Sequence, residues 1–425
     1  VPALFLALAP AGLPGQQPAD SVARDSAGAG PGVAPPADTV SVTADSAVLR
    51  AFVDSLAVTL LDRGPAAGMS VAVVHGPDTL VWEGYGEADL ELDVPATPET
   101  VYRIASITKQ FTAAAVLRQV EAGRIALDDT VHAYLPELPF AGTGITIRHL
   151  LSHTAGIPRY ADVEGLIEAI HRDPGHEAFL ASMDSASLDF PPGTDWRYTN
   201  SAYYVLGMVL EEVTGEVYDR YVADRLATPL GLRDTRYCWT RPLIEGRAEG
   251  YAVEDGELVN EDPLEMALPY AAGALCSTVG DLVAWTRALF SGEVVGRESL
   301  ERMTTSLTLP DTVQTGYGFG VRVDSLEGQR VFFHSGGING FASHLSHYPE
   351  TDLTIAVLVN TRGAGASGVE ERIARRAMGL PQPGMLARGL SEVEARRYTG
   401  KFIMTGLQLP IEIVLEEGEL VARPA

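Results

Sequence analysis

The chain has 425 residues, 46% of them hydrophobic, so it can bury a large core, and 56 acidic against 31 basic residues give it a formal charge of −25. The acidic residues are spread along the chain without an acidic block, and such a surface repels phosphate backbones and anionic lipid, which argues against nucleic-acid binding and a polybasic membrane anchor. Length predicts two or three domains, or one large domain with an insertion.

Val1 to Ala11 (VPALFLALAPA) is apolar, uncharged and rich in small residues, and it ends in the A-x-A pattern Ala9-Pro10-Ala11. It resembles the apolar region and cleavage site of a secretory signal, which predicts a periplasmic or secreted protein. The run is too short to cross a bilayer and no later uncharged stretch is long enough, so no integral membrane span is expected. Residues 12–45, rich in Ala, Pro, Gly, Ser and Asp, read as a flexible linker outside the fold.

Leu49, Phe52, Val53, Leu56, Leu60 and Leu61 are spaced for a helix from Ala47 to Arg63, closed by Gly64-Pro65. Met69 to Val74 and Thr79 to Tyr85 are β-rich runs joined by His75-Gly76-Pro77-Asp78, a hairpin. A helix headed by Ser106 and Lys109 follows and ends at Gly123. Next come helices and loops: Ile147 to Ser152, Gly165 to His171, Glu177 to Met183, Ser201 to Thr214 and Val217 to Leu226, with Pro191-Pro192-Gly193 interrupting them just before Tyr198. Thr278 to Phe290 is another amphipathic helix. Strands return at Gly318 to Val323, Arg330 to His334, Phe341 to Tyr348 and Leu353 to Val359, with hairpin-length turns between them, and Ser367 to Met378 closes as a helix.

This order predicts an α/β (α+β) domain over 46–380, an antiparallel sheet flanked by helices with an inserted all-helical region. Residues 381–389 read as a linker. Tyr398 to Phe402 and Leu409 to Leu415 read as strands of a truncated C-terminal β module over 390–425, a two-strand remnant too small to be stable alone. Cys238 and Cys276, the only cysteines, read as buried free thiols, because a core of this size needs no staple; a disulfide in an oxidising compartment is the alternative. His149 and His153 are four apart but have no Glu between them in the H-E-x-x-H sense, so no zinc site is expected.

Arg103-Ile104-Ala105-Ser106-Ile107-Thr108-Lys109 puts a hydroxyl and an amine three residues apart at the head of the apolar run Phe111, Ala114, Ala115, Leu117 and Val120. Positions i and i+3 share a helix face, so the two groups can meet. A serine becomes a useful nucleophile when a neighbour takes its proton, which a buried lysine can do and an arginine cannot. The chain has only two lysines, Lys109 and Lys401, and uses arginine for its other side-chain cations. Tyr198-Thr199-Asn200 is the only Y-x-N, and a nearby ammonium is expected to lower the phenol so that Tyr198 can accept and return a proton. His334-Ser335-Gly336-Gly337 ends an expected strand, where paired glycines let a substrate lie close to the edge. Structural alternatives are a core tyrosine with Asn200 capping a helix, and a plain strand exit.

The S-x-x-K, Y-x-N and H-x-G trio, in this order, resembles the serine β-lactamase and penicillin-binding-protein group. Arg103 to Leu135, His149 to Ile157 (HLLSHTAGI), Ala272 to Trp285 and Gly336 to Tyr348 also resemble its class C branch and the related esterases and D-amino-acid peptidases. The resemblance covers roughly Ala47 to Met378 and implies a β-lactamase/transpeptidase-like fold; the tail from Leu390 resembles the start of a β-barrel-like module that some members append. It implies that Ser106 forms an acyl-enzyme, Lys109 takes its proton, and Tyr198 passes a proton to the leaving group and helps activate water. Asn200 would hold the substrate amide or the Lys109 amine, and the N–H groups of Ser106 and Gly337 would form an oxyanion hole worth ~3 kcal/mol per donor. His334 and Gly336 complete the implied substrate-binding set, and no metal or organic cofactor is implied.

One departure stands out. Where β-lactamases and transpeptidases have K-T-G, this chain has His334-Ser335-Gly336, so a permanent cation becomes a group mostly neutral at pH 7. That favours esters or small amides over lactams and D-Ala-D-Ala, unless Arg362 restores the charge. The expectation is a serine hydrolase of a small-molecule or peptide-like substrate. A β-lactamase, D,D-peptidase or D-aminopeptidase with the same residues, and a catalytically silent binding protein, are the competing readings; the sequence sets no oligomeric state.

Overall fold

The computed structural model describes residues 41–63, 66–140, 142–160, 175–183, 187–383, 399–404, 409–416 and 419–424. The signal-like start, nearly all of the 12–45 linker, the helix expected over Gly165–His171 and most of the 381–389 linker lie outside the described residues. Contacts divide the chain into two units, Pro36–Gln382 and a second that takes in Pro383–Ala425.

In the larger unit, α1 (Ser46–Arg63) leads into the hairpin β1 (Gly68–His75) and β2 (Asp78–Asp89), then the short β3 (Val94–Pro95) and β4 (Tyr102–Arg103). A 3₁₀ turn, Ala105–Ile107, runs directly into α2 (Thr108–Glu121). The helical region contributes α3 (Ile147–Leu151), α4 (His176–Met183), α5 (Asn200–Thr214) and α6 (Tyr218–Tyr221), which continues into a π-turn over Val222–Ala227. Short pieces bring the chain back: β5 (Arg236–Tyr237), β6 (Tyr251–Glu254), β7 (Glu257–Asn260), α7 (Tyr270–Gly273) and β8 (Leu275–Ser277). Then come α8 (Val279–Ser291), α9 (Arg297–Met303), the meander β9 (Arg322–Leu326), β10 (Gln329–Ile338), β11 (Phe341–Tyr348) and β12 (Leu353–Val359), and α10 (Ala366–Ala377).

Seven strands form an antiparallel sheet in the order β3-β2-β1-β12-β11-β10-β9, so the N-terminal hairpin is closed against the C-terminal meander through β1 and β12, with Met69 opposite Val359 and His75 opposite Leu353. The central strands are buried on both faces, and their alternation sorts side chains between two cores. Val71, Val73, Ile355 and Val357 pack with Leu49 and Val53 of α1 and Ile373 of α10. Ala72, Val74, Ala356 and Leu358 pack with Phe111 of α2 and Trp285 of α8, whose rings stack at 3.7 Å. Helix α2 is thus buried almost all round, and Lys109 is buried with it.

Three expectations change. Gly318 to Val323 is strand only from Arg322 onward; before it the chain is a buried loop in which Gly320, at φ +74°, passes so close to α2 that a Cβ would lie 2.6 Å from the Lys109 carbonyl oxygen. The strand expected to stop at His334 runs on to Ile338, so His334 to Gly337 lie within β10, not at its exit. The Val217 to Leu226 helix is a four-residue α-turn plus the π-turn. Cys238 and Cys276 are buried free thiols.

In the second unit, β13 (Gly400–Met404), β14 (Leu409–Glu416) and β15 (Glu419–Pro424) pair as one antiparallel sheet, one strand more than the sequence suggested. Among the described residues no helix is long and apolar enough to cross a membrane.

Candidate active site

Ser106 sits where β4 turns into α2. The Ile104 N–H donates to the Leu275 carbonyl of β8 at 3.0 Å, and Ala105, at φ +48°, then turns the chain sharply. A non-glycine residue there costs roughly 1 kcal/mol or more, held by the packing around it. Gly336 of β10 lies against this turn: a Cβ on it would overlap the Ile104 carbonyl oxygen and the Ser343 hydroxyl, and the latter in turn donates to that carbonyl at 2.9 Å. Gly336 therefore lets β10 approach the serine, and it is packed, not open to a substrate. Gly337, one residue on, has open space where a side chain would project.

Lys109 is fully buried one turn along, its Nζ 3.1 Å from Ser106 Oγ. Nζ also donates to Asn200 Oδ1 at 2.8 Å and to the Ala272 carbonyl oxygen at 2.7 Å. Burial, and next the charge of Arg322, hold the amine well below the usual lysine range. A neutral amine has two N–H groups, and both have acceptors here, so its lone pair is left facing the serine hydroxyl. Such a pair can move a proton from serine to lysine without first deprotonating an ammonium.

Asn200 and Tyr198 flank the start of α5. Thr199 caps that helix, its Oγ1 accepting from the Ser201 N–H at 3.2 Å, which fixes Asn200 in the first turn and aims it at Lys109. Tyr198 is held through its neighbours by His153: the Arg197 N–H donates to the His153 carbonyl at 3.0 Å and the Thr199 N–H to its Nδ1 at 3.3 Å, while the imidazole lies 4.4 Å from the phenol ring. His153 is buried, and burial first of all holds its ring well below the usual histidine range.

The expected lowering of the Tyr198 phenol is reversed. Burial pushes it up to about 12, with Ser106 and Arg322 offsetting only part of that. The reason is geometric: Lys109 Nζ faces the ring at 4.8 Å from its centroid, and the amine is itself held neutral. The phenol oxygen is buried without a well-formed hydrogen bond, turned towards Ser106.

His334 is saturated by the protein. Its Nδ1–H donates to the Ser335 carbonyl at 2.7 Å and Nε2 accepts from the Tyr317 hydroxyl at 3.1 Å, while burial holds the ring well below the usual histidine range. It shapes the β10 edge and leaves no nitrogen for a substrate. Arg362 does not supply the missing charge, because its Nε is paired with Glu261 at 2.9 Å. The cation beside the site is Arg322, at the start of β9, 5.6 Å from the Tyr198 ring centroid and 5.9 Å from that of Tyr317, with no carboxylate partner among the described residues. Sequence reasoning missed Arg322 and Tyr317 as site residues and gave His153 no role. The stretch Tyr317 to Arg322 reads as strand, and only its unusual density of Gly and aromatic residues hints at a close approach.

A cavity of about 240 Å³ opens beside this group, lined by Arg159, Tyr160, Tyr198, Thr199 and Asn200. A larger one of about 580 Å³ lies away from it, among Leu135, His176, Glu211 and Glu216. Among the described residues no three His, Cys, Asp or Glu side chains are grouped to hold a metal.

The chain is 29% identical over 348 residues to a D-aminopeptidase of Gluconobacter oxydans, covering 79% of this chain and 63% of that relative, so it spans less than two thirds of the relative's length. It is 28% identical to penicillin-binding protein 4* of Bacillus subtilis, over 73% of this chain and 72% of the relative. Among solved structures it is similar to the octameric penicillin-binding protein homologue from Pyrococcus abyssi, with 25% identity and a TM-score of 0.70 over 88% of this chain and 90% of that one. It is likewise similar to a D-stereospecific amidohydrolase from Streptomyces sp., with 29% identity and a TM-score of 0.66 over 77% of this chain and 97% of that one. The family model described as Beta-lactamase matches residues 53–379, a span that runs from α1 past α10 and takes in Ser106, Lys109, Tyr198, Asn200 and the β10 edge; the chain belongs to the Beta-lactamase family.

Proposed function

We propose that the protein is a serine hydrolase that cleaves an ester or small amide through an acyl-enzyme on Ser106. The observation that carries this reading is the buried Lys109 amine, with both N–H groups engaged by Asn200 and Ala272 and Nζ 3.1 Å from Ser106 Oγ. As Ser106 Oγ attacks the acyl carbon, its proton passes to Lys109. Tyr198, kept protonated by burial, hands its proton to the departing oxygen or nitrogen, and the proton gained by Lys109 restores the phenol. In the second half a water attacks the ester carbon, its proton is taken up by the same pair, and Ser106 recovers its hydroxyl. The N–H groups of Ser106 and Gly337 are the donors this reading assigns to the developing oxyanion, and the open space on the side-chain side of Gly337 leaves room there for an acyl group.

A second reading, a β-lactamase, D,D-peptidase or D-aminopeptidase using the same residues, draws support from the named relatives and from Arg322, a cation beside β10 with no carboxylate partner among the described residues. The neutral, saturated His334 favours the first. Initial rates of the purified protein and Ser106→Ala on a short-chain chromogenic ester and a chromogenic cephalosporin decide. Serine-dependent ester turnover without lactam turnover is the expected result; serine-dependent lactam turnover puts the second reading first, and turnover that survives Ser106→Ala overturns both.

A further inference from the structure

The 240 Å³ cavity adjoins the reacting groups directly. Asn200 lines it, and its Oδ1 accepts from the Lys109 Nζ that faces Ser106, which puts that oxygen within ~6 Å of the serine oxygen. At roughly 30 Å³ per water it holds the equivalent of about eight waters, room for a short chain. Four of its five lining residues carry no charge at neutral pH: Thr199 and Asn200 cannot ionise, and burial raises the phenols of Tyr160 and Tyr198. The fifth is Arg159.

Arg159 is exposed, yet its backbone is fixed. Ser201, buried in the first turn of α5, donates its hydroxyl to the Pro158 carbonyl at 2.6 Å and accepts from the Tyr160 N–H at 2.9 Å. The residues on both sides of Arg159 are thus clamped to the helix that begins with Asn200. The guanidinium has no carboxylate partner among the described residues, and Asp189, on the loop hydrogen-bonded to Gly156, is taken by Arg197 at 2.5 Å. In a chain of net charge −25, an arginine with no carboxylate partner among the described residues, held at the lip of a cavity whose other lining residues are neutral, is placed to receive an anion.

Resting on the reading that Ser106 is acylated, we infer that this cavity is an acyl subsite for a short chain ending in a carboxylate, and that Arg159 is its specificity-determining residue. Acyl groups of succinyl type are preferred over neutral chains of equal length, and chains ending in an ammonium are disfavoured.

The test uses the full chain and the 4-nitrophenyl esters of succinate, butyrate and 4-aminobutyrate. The ratio of kcat/KM for succinyl over butyryl is expected to fall about tenfold in Arg159→Gln, and further in Arg159→Glu, which turns the preference towards aminobutyryl. Comparing ratios between proteins cancels the intrinsic reactivities of the esters. Arg297→Gln is the charge control: Arg297 follows Gly296, whose N–H is bound by Glu121 at the far end of α2, ~20 Å from Ser106, and it is expected to keep the wild-type ratio. An equal ratio in wild type and Arg159→Gln overturns the inference while leaving Ser106 chemistry intact. A binding arm needs no turnover: on Ser106→Ala, succinate is expected to bind about tenfold more tightly than butyrate by calorimetry, and adding Arg159→Gln removes the difference. Equal affinities for the two acids overturn the subsite even if the acyl-enzyme reading has failed on its own.

Discussion

On the helical wall of the site, Lys109 is fully buried, its amine donating to Asn200 and Ala272, and His153 grips Tyr198 through both of its neighbours. The sheet wall is built differently: His334 and Gly336 are consumed by internal contacts, and only Gly337 opens outward, with Arg322 standing to one side. In the proposed mechanism the first wall manages protons, because burial decides which groups are charged there, and the second sets access and sign of charge. Altering the first should change kcat and pH dependence, whereas altering the second should change which substrates bind.

The largest expected effect is on the first wall. Ser106→Ala and Lys109→Met should each lower kcat/KM by ~10⁴-fold without loss of fold, the methionine because it is neutral, of similar length and has no base to take the serine proton; circular dichroism and initial rates check both. Tyr198→Phe should cost ~10²-fold with an amide and clearly less with a nitrophenyl ester, whose leaving group needs no proton; equal losses on the two would remove Tyr198 from leaving-group protonation. On the second wall, Gly336→Ala should destabilise by about 2 kcal/mol or more, since its Cβ meets backbone at the Ile104 carbonyl, while Gly337→Ala should keep its melting temperature and raise KM. Similar melting temperatures for the two would erase the distinction drawn between the glycines.

The smallest effect joins the walls. With Lys109 depressed and Tyr198 raised to about 12, kcat/KM should rise with pH along an acid limb as Lys109 loses its proton, with no basic limb from Tyr198 below roughly pH 10. Arg322 helps depress Lys109, so Arg322→Gln should move that limb to higher pH. A limb that stays in place would mean the sheet wall has no hold on the amine.

Much of the helical wall was legible in the sequence. Ser106 and Lys109 are three apart on one helix, and a chain that otherwise uses arginine marks its lysine; Tyr198 and Asn200 sit in one short motif before a capped helix. The central sheet was legible for the same local reason, since β11 and β12 are unbroken runs bounded by turns. What failed depends on contacts distant in sequence. Whether the Tyr198 phenol rises or falls is set by how deeply it is buried and by which face it shows to Lys109. Gly318 to Val323 has strand composition but is bent by its approach to α2. Arg322, His153 and Arg159 acquire roles only because β9, the loop after α3 and the start of α5 converge, and no local spacing announces that.

The proposed proton transfer requires a neutral Lys109, and the chain's two lysines make that directly observable. Lysine labelled with ¹⁵N at Nζ gives two signals, assigned with Lys401→Arg and followed by NMR across pH. The expected result is that the Lys109 nitrogen has amine character at pH 7 and titrates well below the usual lysine range. An ammonium at Lys109 that holds its proton up to about pH 10 would contradict the account.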